Sequence, residues 1–244
     1  MSSITFSKTI KAVILDIEGT VAPISFVKET LFPYFLKEVP SVLSKLQYPI
    51  DSNLNDPTTK IVSAFPTAIT KDRDTLLSHI NDLVNKDVKD STLKSLQGYI
   101  WQKGYEDGSL KAPVYDDAIN SIKSWNKEKK VFIYSSGSVK AQKLLFGYVD
   151  INGESADLNG FLSGYFDITT SGFKYEKSSY ENITKDIGID AENLLFLSDN
   201  VAEVKAALEA GLNSVIVIRP GNPELSSEDK SQFQVIHNFD QLQL

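Results

Sequence analysis

Four short apolar runs constrain the fold of this 244-residue chain more than any other feature. They are residues 12–15 (Ala-Val-Ile-Leu), 131–134 (Val-Phe-Ile-Tyr), 194–197 (Leu-Leu-Phe-Leu) and 214–218 (Ser-Val-Ile-Val-Ile). None alternates apolar with polar. A strand wet on one face alternates, because successive side chains point to opposite faces. A continuous run fits a parallel strand covered on both faces. Three of the runs have amphipathic helical stretches beside them. Residues 116–129 place Ala118, Ile119, Ile122 and Trp125 at helical spacing. Residues 138–147 carry Val139, Ala141, Leu144 and Leu145. Residues 200–210 carry Val201, Val204, Ala207 and Leu208, with Gly211 where a C-terminal cap belongs. Strand and helix alternate from about residue 116 to the end, which predicts an α/β fold with a wound, Rossmann-like parallel sheet.

Residues 21–114 read differently. Leu76, Leu77, Ile80, Leu83 and Val84 share one helical face, and residues 91–106 make a second helix with Leu93, Leu96, Ile100 and Trp101 on its apolar side. Residues 26–39 read as helix, with Pro33 expected to kink or divide it. Residues 47–58, rich in Pro, Asn and Asp, read as a loop. The predicted organisation is an α/β core of residues 1–20 and 115–244, with 21–114 inserted as a helical cap over the carboxyl edge of the sheet. Ligands of such sheets bind at that edge.

The ends of the apolar runs carry the chemistry. The first stops at Asp16-Ile17-Glu18-Gly19-Thr20, the second at Ser135-Ser136-Gly137-Ser138 and the third at Ser198-Asp199-Asn200, with Glu203 four residues past Asp199. Lys174 lies in the stretch Ser171–Tyr180 between the last two. Each has an ordinary reading: the wet end of a strand, serine or asparagine capping a helix, a surface lysine. Together they suit one job. Asp16, Glu18 and Asp199 supply the hard oxygens that Mg²⁺ takes, and Ser135, Ser136 and Lys174 supply donors for a phosphoryl group.

The same residues, in the same order, resemble the haloacid dehalogenase superfamily, most of whose members are phosphatases. The first motif there is an apolar strand ending Asp-x-Asp-Gly-Thr; the others are a strand-end Ser or Thr, a lysine, and an acid after a late strand. A helical insert after the first motif resembles that superfamily's cap. The second acid is here Glu18. The "DIEGT" form, with "ISFVKETLFPY", "WQKGYEDGSLKAPVYDD" and "IYSSGSVKAQKLLFGY", resembles the bifunctional enolase-phosphatases of methionine salvage. That resemblance implies enolisation and dephosphorylation of 2,3-diketo-5-methylthiopentyl 1-phosphate to the acireductone. It implies Asp16 as nucleophile, Glu18 as acid/base, and Ser135, Ser136 and Lys174 on the substrate phosphate. It also implies one Mg²⁺ ion on Asp16, Glu18 and Asp199, with Glu18 contributing its side chain or its backbone carbonyl. Two alternatives stand beside it: a generic small-molecule phosphatase or phosphotransferase of the superfamily, and a binding protein with a relict site. The aromatics Phe26, Phe32, Tyr34 and Trp101 are candidates for the wall around a methylthio tail, against plain helix packing.

Composition narrows the partners. A net charge of −7 disfavours polyanions. The densest basic cluster, Lys127-Glu128-Lys129-Lys130, sits where a helix should end and complements its dipole. No nucleic acid or membrane partner is expected. The chain has no cysteine, which removes disulfides and thiol nucleophiles. The N-terminus has no signal-peptide layout. The expectation is a cytoplasmic monomer, with the nucleus also open to it, acting on a phosphorylated diketone. Residues 150–161 begin like a calcium loop but have Ser155 and Phe161 where Gly and Glu belong, and read as a polar loop. The two histidines, His79 and His237, give no triad or zinc site.

Overall fold

A computed structural model describes residues 3–53 and 55–244. Met1, Ser2 and Leu54, the last within the expected 47–58 loop, lie outside the described residues. Six parallel strands form the main sheet: β1 (Ala12–Leu15), β2 (Lys130–Tyr134), β3 (Gly164–Phe166), β4 (Leu194–Ser198), β5 (Asn213–Val217) and β6 (Val235–Ile236). Their spatial order is β3-β2-β1-β4-β5-β6. The chain fills one side of β1 and then crosses to the other. That reversal opens a crevice at the carboxyl ends of β1 and its neighbours. β1 is the central strand, and all four of its side chains are fully buried. The four apolar runs fall in β1, β2, β4 and β5. The edge strands β3 and β6 were not anticipated: three and two residues leave no apolar run to read.

Among the described residues, four helices follow β1 within residues 27–110: α1 (Phe32–Ser44), α2 (Pro57–Val62), α3 (Arg73–Asn85) and α4 (Ser91–Glu106). Asp56, Asp72 and Asp90 cap the last three through the N–H groups of Thr59, Thr75 and Leu93. The expected helix over 26–39 is present and changes type beside Pro33: a π-helical stretch over Val27–Leu31 runs directly into α1, with Pro33 in the first turn of α1. The later helices are α5 (Asp116–Trp125), α6 (Val139–Gly147), α7 (Lys177–Ile187), α8 (Val201–Glu209) and α9 (Ser227–Gln232).

The chain divides into two units, Met1–Phe26 with Lys111–Leu244, and Val27–Leu110. The divisions fall a few residues inside the boundaries placed at 20/21 and 114/115. Backbone pairing explains the shift: the Tyr115 N–H donates to Val21 O at 2.9 Å and the Ala112 N–H to Tyr148 O at 2.8 Å. In the first unit Ile14, Tyr134, Tyr180 and Phe196 pack one face of the sheet. In the second, Phe35, Val39, Leu43, Leu76, Ile80 and Leu96 form a separate core. Trp101 donates to Leu31 O at 2.8 Å and packs on Phe32, and Tyr34 lies against Gly104. Those three aromatics are packed among the helices of their own unit, while Phe26 is buried in the other. The expected loop at 150–161 begins instead with a hairpin, Val149–Ile151 on Glu154–Ala156. Asn152 and Gly153 both have left-handed φ, 54° and 87°, as a two-residue hairpin turn requires. The Asn-Gly pair was the available signal.

Candidate active site

Asp16 is the first residue beyond β1. Its N–H donates to Leu197 O at 3.0 Å, which extends the ladder with β4 and fixes the carboxylate at the crevice. Oδ2 accepts from Thr20 Oγ1 at 3.3 Å, and the same hydroxyl accepts the Asp199 N–H at 3.0 Å. Thr20 thus ties together the two strand ends that carry acids. The loop between is tight: Ile17 O takes the N–H groups of Thr20, Val21 and Ala22, and the Gly19 N–H donates to Ala22 O at 2.8 Å. Gly19 has φ +75°, and a Cβ there would lie 2.7 Å from Asp199 Cγ and 3.0 Å from Asn222 Oδ1. Both the backbone conformation and the space demand glycine. Asn222 holds Gly19 O at 2.8 Å, and the buried Arg219 holds Thr20 O at 2.8 Å.

Lys174 is 8% exposed, and its Nζ bridges Asp16 Oδ1 and Glu203 Oε2, the latter at 2.7 Å. Tyr134 and Phe196 lie under the ammonium. The stretch that carries it is pinned from several sides. Tyr134 donates to Gly172 O (2.7 Å), Ser179 to Phe173 O (2.7 Å) and Tyr180 to Lys174 O (2.6 Å). Burial works against the Lys174 charge, but the two carboxylates outweigh it and hold the ammonium protonated. Burial pushes the Asp199 carboxyl up to about 7, and the charges of Asp16 and Glu203 push the same way.

Ser135 continues β2, with its N–H on Phe166 O at 3.2 Å, and is buried; Ser136 beside it is exposed. Ser135 Oγ accepts the Gly137 N–H at 3.3 Å, and Ser138 caps α6 through the Ala141 N–H. Asp167, just past β3, accepts the Val139 N–H at 3.0 Å and fixes the helix start. Inside the turn lies Gln142, 1% exposed, on the face of α6 where apolar side chains were expected.

Asp16 and Lys174, 158 positions apart, are therefore in direct contact, and Asp199 joins them through Thr20. Ser135 and Ser136 stand at the end of the neighbouring strand. Glu18 is exposed, and among the described residues no three His, Cys, Asp or Glu side chains gather as a metal cage. The expected ligand set is thus not a preformed triplet of side chains. Residues not assigned from sequence are Glu203, Thr20, Gln142, Arg219 and Asn222. Two of them had a signal: Thr20 closes the Asp16–Thr20 motif, and Glu203 lies one helical turn past Asp199.

Residues 10–211 match the haloacid dehalogenase-like hydrolases. Enolase-phosphatase E1 of Debaryomyces hansenii is 55% identical over 244 residues, 99% of either chain. Enolase-phosphatase E1 of Candida tropicalis is 55% identical over 241 residues, 97% of this chain and 100% of the relative. The crystal structure of the UTR4 protein of Saccharomyces cerevisiae agrees at TM-score 0.84 and 51% identity, over 95% of this chain and 99% of that one. The hydrolase YfnB of Bacillus subtilis, solved bound to magnesium, shares the fold at TM-score 0.56 and 13% identity. The chain belongs to the haloacid dehalogenase-like hydrolases and, within them, to the enolase-phosphatase E1 family. It is a hydrolase of phosphate esters, and the resemblance read from its strand-end motifs is borne out.

Proposed function

We propose that this chain enolises 2,3-diketo-5-methylthiopentyl 1-phosphate and removes its phosphate, forming the acireductone of methionine salvage. The observation that carries the mechanism is the Asp16–Lys174 contact at the sheet's switch point. Asp16 attacks phosphorus through one carboxylate oxygen, the phosphorus–oxygen ester bond breaks, and an aspartyl phosphate forms. Glu18 protonates the leaving oxygen and then takes a proton from the water that releases phosphate. Ser135, Ser136 and Lys174 hold the phosphoryl oxygens, and Lys174 keeps its charge because Asp16 and Glu203 face it.

The residues fit a divalent cation. Three carboxylates, Asp16, Asp199 and Glu203, act on one another with one ammonium, Lys174, among them in the described residues; burial is the main cause of the raised Asp199 carboxyl, and the charges of Asp16 and Glu203 add to it. Asp16, Asp199 and an oxygen of Glu18 would hold one Mg²⁺. When bound, the ion offsets phosphoryl charge and stabilises the enolate. No described helix is long and apolar enough to cross a membrane. The reading is of a cytoplasmic monomer acting on a small molecule, without nucleic acid.

The test separates the two half-reactions. A non-hydrolysable phosphonate analogue of the diketone should exchange its acidic hydrogen for deuterium in D₂O with enzyme and Mg²⁺, and stop when Mg²⁺ is chelated. An analogue that binds yet exchanges only at the buffer rate would leave a generic phosphatase of the superfamily as the reading.

A further inference from the structure

Gln142 is almost fully buried, and its orientation is set by its neighbours. Nε2 lies 2.7 Å from Gly137 O, 2.9 Å from Phe166 O and 3.5 Å from Ser135 O. Three carbonyls around one end of an amide require the NH₂ there, since the flipped rotamer would face oxygen with oxygen. The other end, Oε1, is buried without a hydrogen-bond partner. A native core rarely leaves such an acceptor unpaired, so the arrangement calls for a reason.

The peptide geometry supplies one. In a trans peptide the C=O and the following N–H point in opposite directions. Drawing Gly137 O back onto Gln142 turns the Ser138 N–H the other way, and drawing Ser135 O back does the same for Ser136. Among the described residues neither N–H has a protein acceptor, whereas the Gly137 N–H is taken by Ser135 Oγ and the Val139 N–H by Asp167. Two amides at the start of α6, the end that favours an anion, are left facing away from the core.

We infer that Gln142 is a positioning residue for the phosphoryl site: by holding the carbonyls of the Ser135–Gly137 turn, it aims the Ser136 and Ser138 amides at the anion. This rests on the phosphatase reading above. Gln142 touches no substrate atom. It acts through the backbone, and its unpaired Oε1 is the cost of spending both amide hydrogens on that task.

The test uses the full ¹⁵N-labelled chain with Mg²⁺ and inorganic phosphate as probe. In the wild type, the Ser136 and Ser138 amide resonances should shift on titration, with one shared Kd. Gln142→Met keeps the length and removes the donor. It should weaken phosphate binding by at least about tenfold and abolish those shifts, while Mg²⁺ binding without phosphate stays unchanged. A simple loss of packing would lower the melting temperature without separating the two ligands. Saturable phosphate binding to wild type that moves other amides but neither of these two overturns the assignment, and needs no variant to fold. So does a folded Gln142→Met that binds phosphate within about twofold of wild type. No saturable binding to wild type at all would overturn the phosphatase reading along with it.

Discussion

Asp16 owes its setting to three partners at once: Leu197 O on its N–H, Thr20 on one carboxylate oxygen and Lys174 on the other. Asp16→Asn keeps the shape and can still accept from Lys174, so the protein should fold while turnover disappears. A purified Asn variant that still turned over at a measurable fraction of the wild-type rate would remove Asp16 from the nucleophile role. Gly19 is the complementary case, a residue with no chemistry whose geometry matters. Gly19→Ala must hold φ +75° and push against Asp199. The left-handed backbone costs Ala only about 1–2 kcal/mol, so the fold should survive. The displaced carboxylate should weaken Mg²⁺ binding, and misplacement by about 1 Å can cost on the order of 10²-fold in rate. Calorimetric Mg²⁺ titration beside a thermal melt checks this; a wild-type titration curve would mean that Asp199 has room to spare.

At the scale of elements, the start of α6 depends on a carboxylate from another strand end. Asp167 accepts the Val139 N–H and the N–H groups of Thr169 and Thr170. The hydrogen bonds outweigh the cost of burial and hold its carboxyl below the usual range. Asp167→Ala leaves these donors unsatisfied. Hydrogen bonds to a charged group are each worth about 1.5–3 kcal/mol, so a loss of at least that size is expected in urea denaturation. Ser138 alone would suffice as a cap if the midpoint did not move. Because a depressed carboxyl stabilises only while ionised, this contribution is present above the unfolded pKa and falls away as pH drops through the lower folded one. The gap between wild type and variant should therefore narrow at acid pH.

For the molecule as a whole, Arg219 joins parts of the chain that are distant in sequence. Its guanidinium pairs with Asp117 at 2.8 Å, bonds Thr20 O and His237 O, and stacks on Tyr115 and Phe239. Asp117 in turn accepts the Phe239 N–H at 2.8 Å. Arg219→Met would strand that carboxylate. Breaking a buried pair costs about 3–5 kcal/mol, and the lower end applies because the Asp117 side chain is 16% exposed. Chemical denaturation should register the loss, and replacing Asp117 by Leu in the same chain should recover part of it. An unchanged midpoint in the single variant would reduce the pair to packing.

What this chain determines by itself is whatever depends on neighbours a few positions apart. The apolar runs of β1, β2, β4 and β5 mark buried parallel strands, since a strand covered on both faces has no polar residue to spare. The spacing over residues 91–106 marks α4 to its ends. The acids, serines and lysine stand where the strands stop, so the class of chemistry is legible too. Only the tertiary structure decides which of these residues meet. The Lys174–Asp16 pair, the Glu203 carboxylate beside it and the Arg219 clamp depend on strand order, and no local periodicity encodes that order. The edge strands β3 and β6 exist because a formed sheet offers them a partner. Gln142 is the sharpest instance. In sequence it is a polar residue on a helix, and it becomes a buried donor only because three carbonyls from a folded turn and a neighbouring strand converge on it.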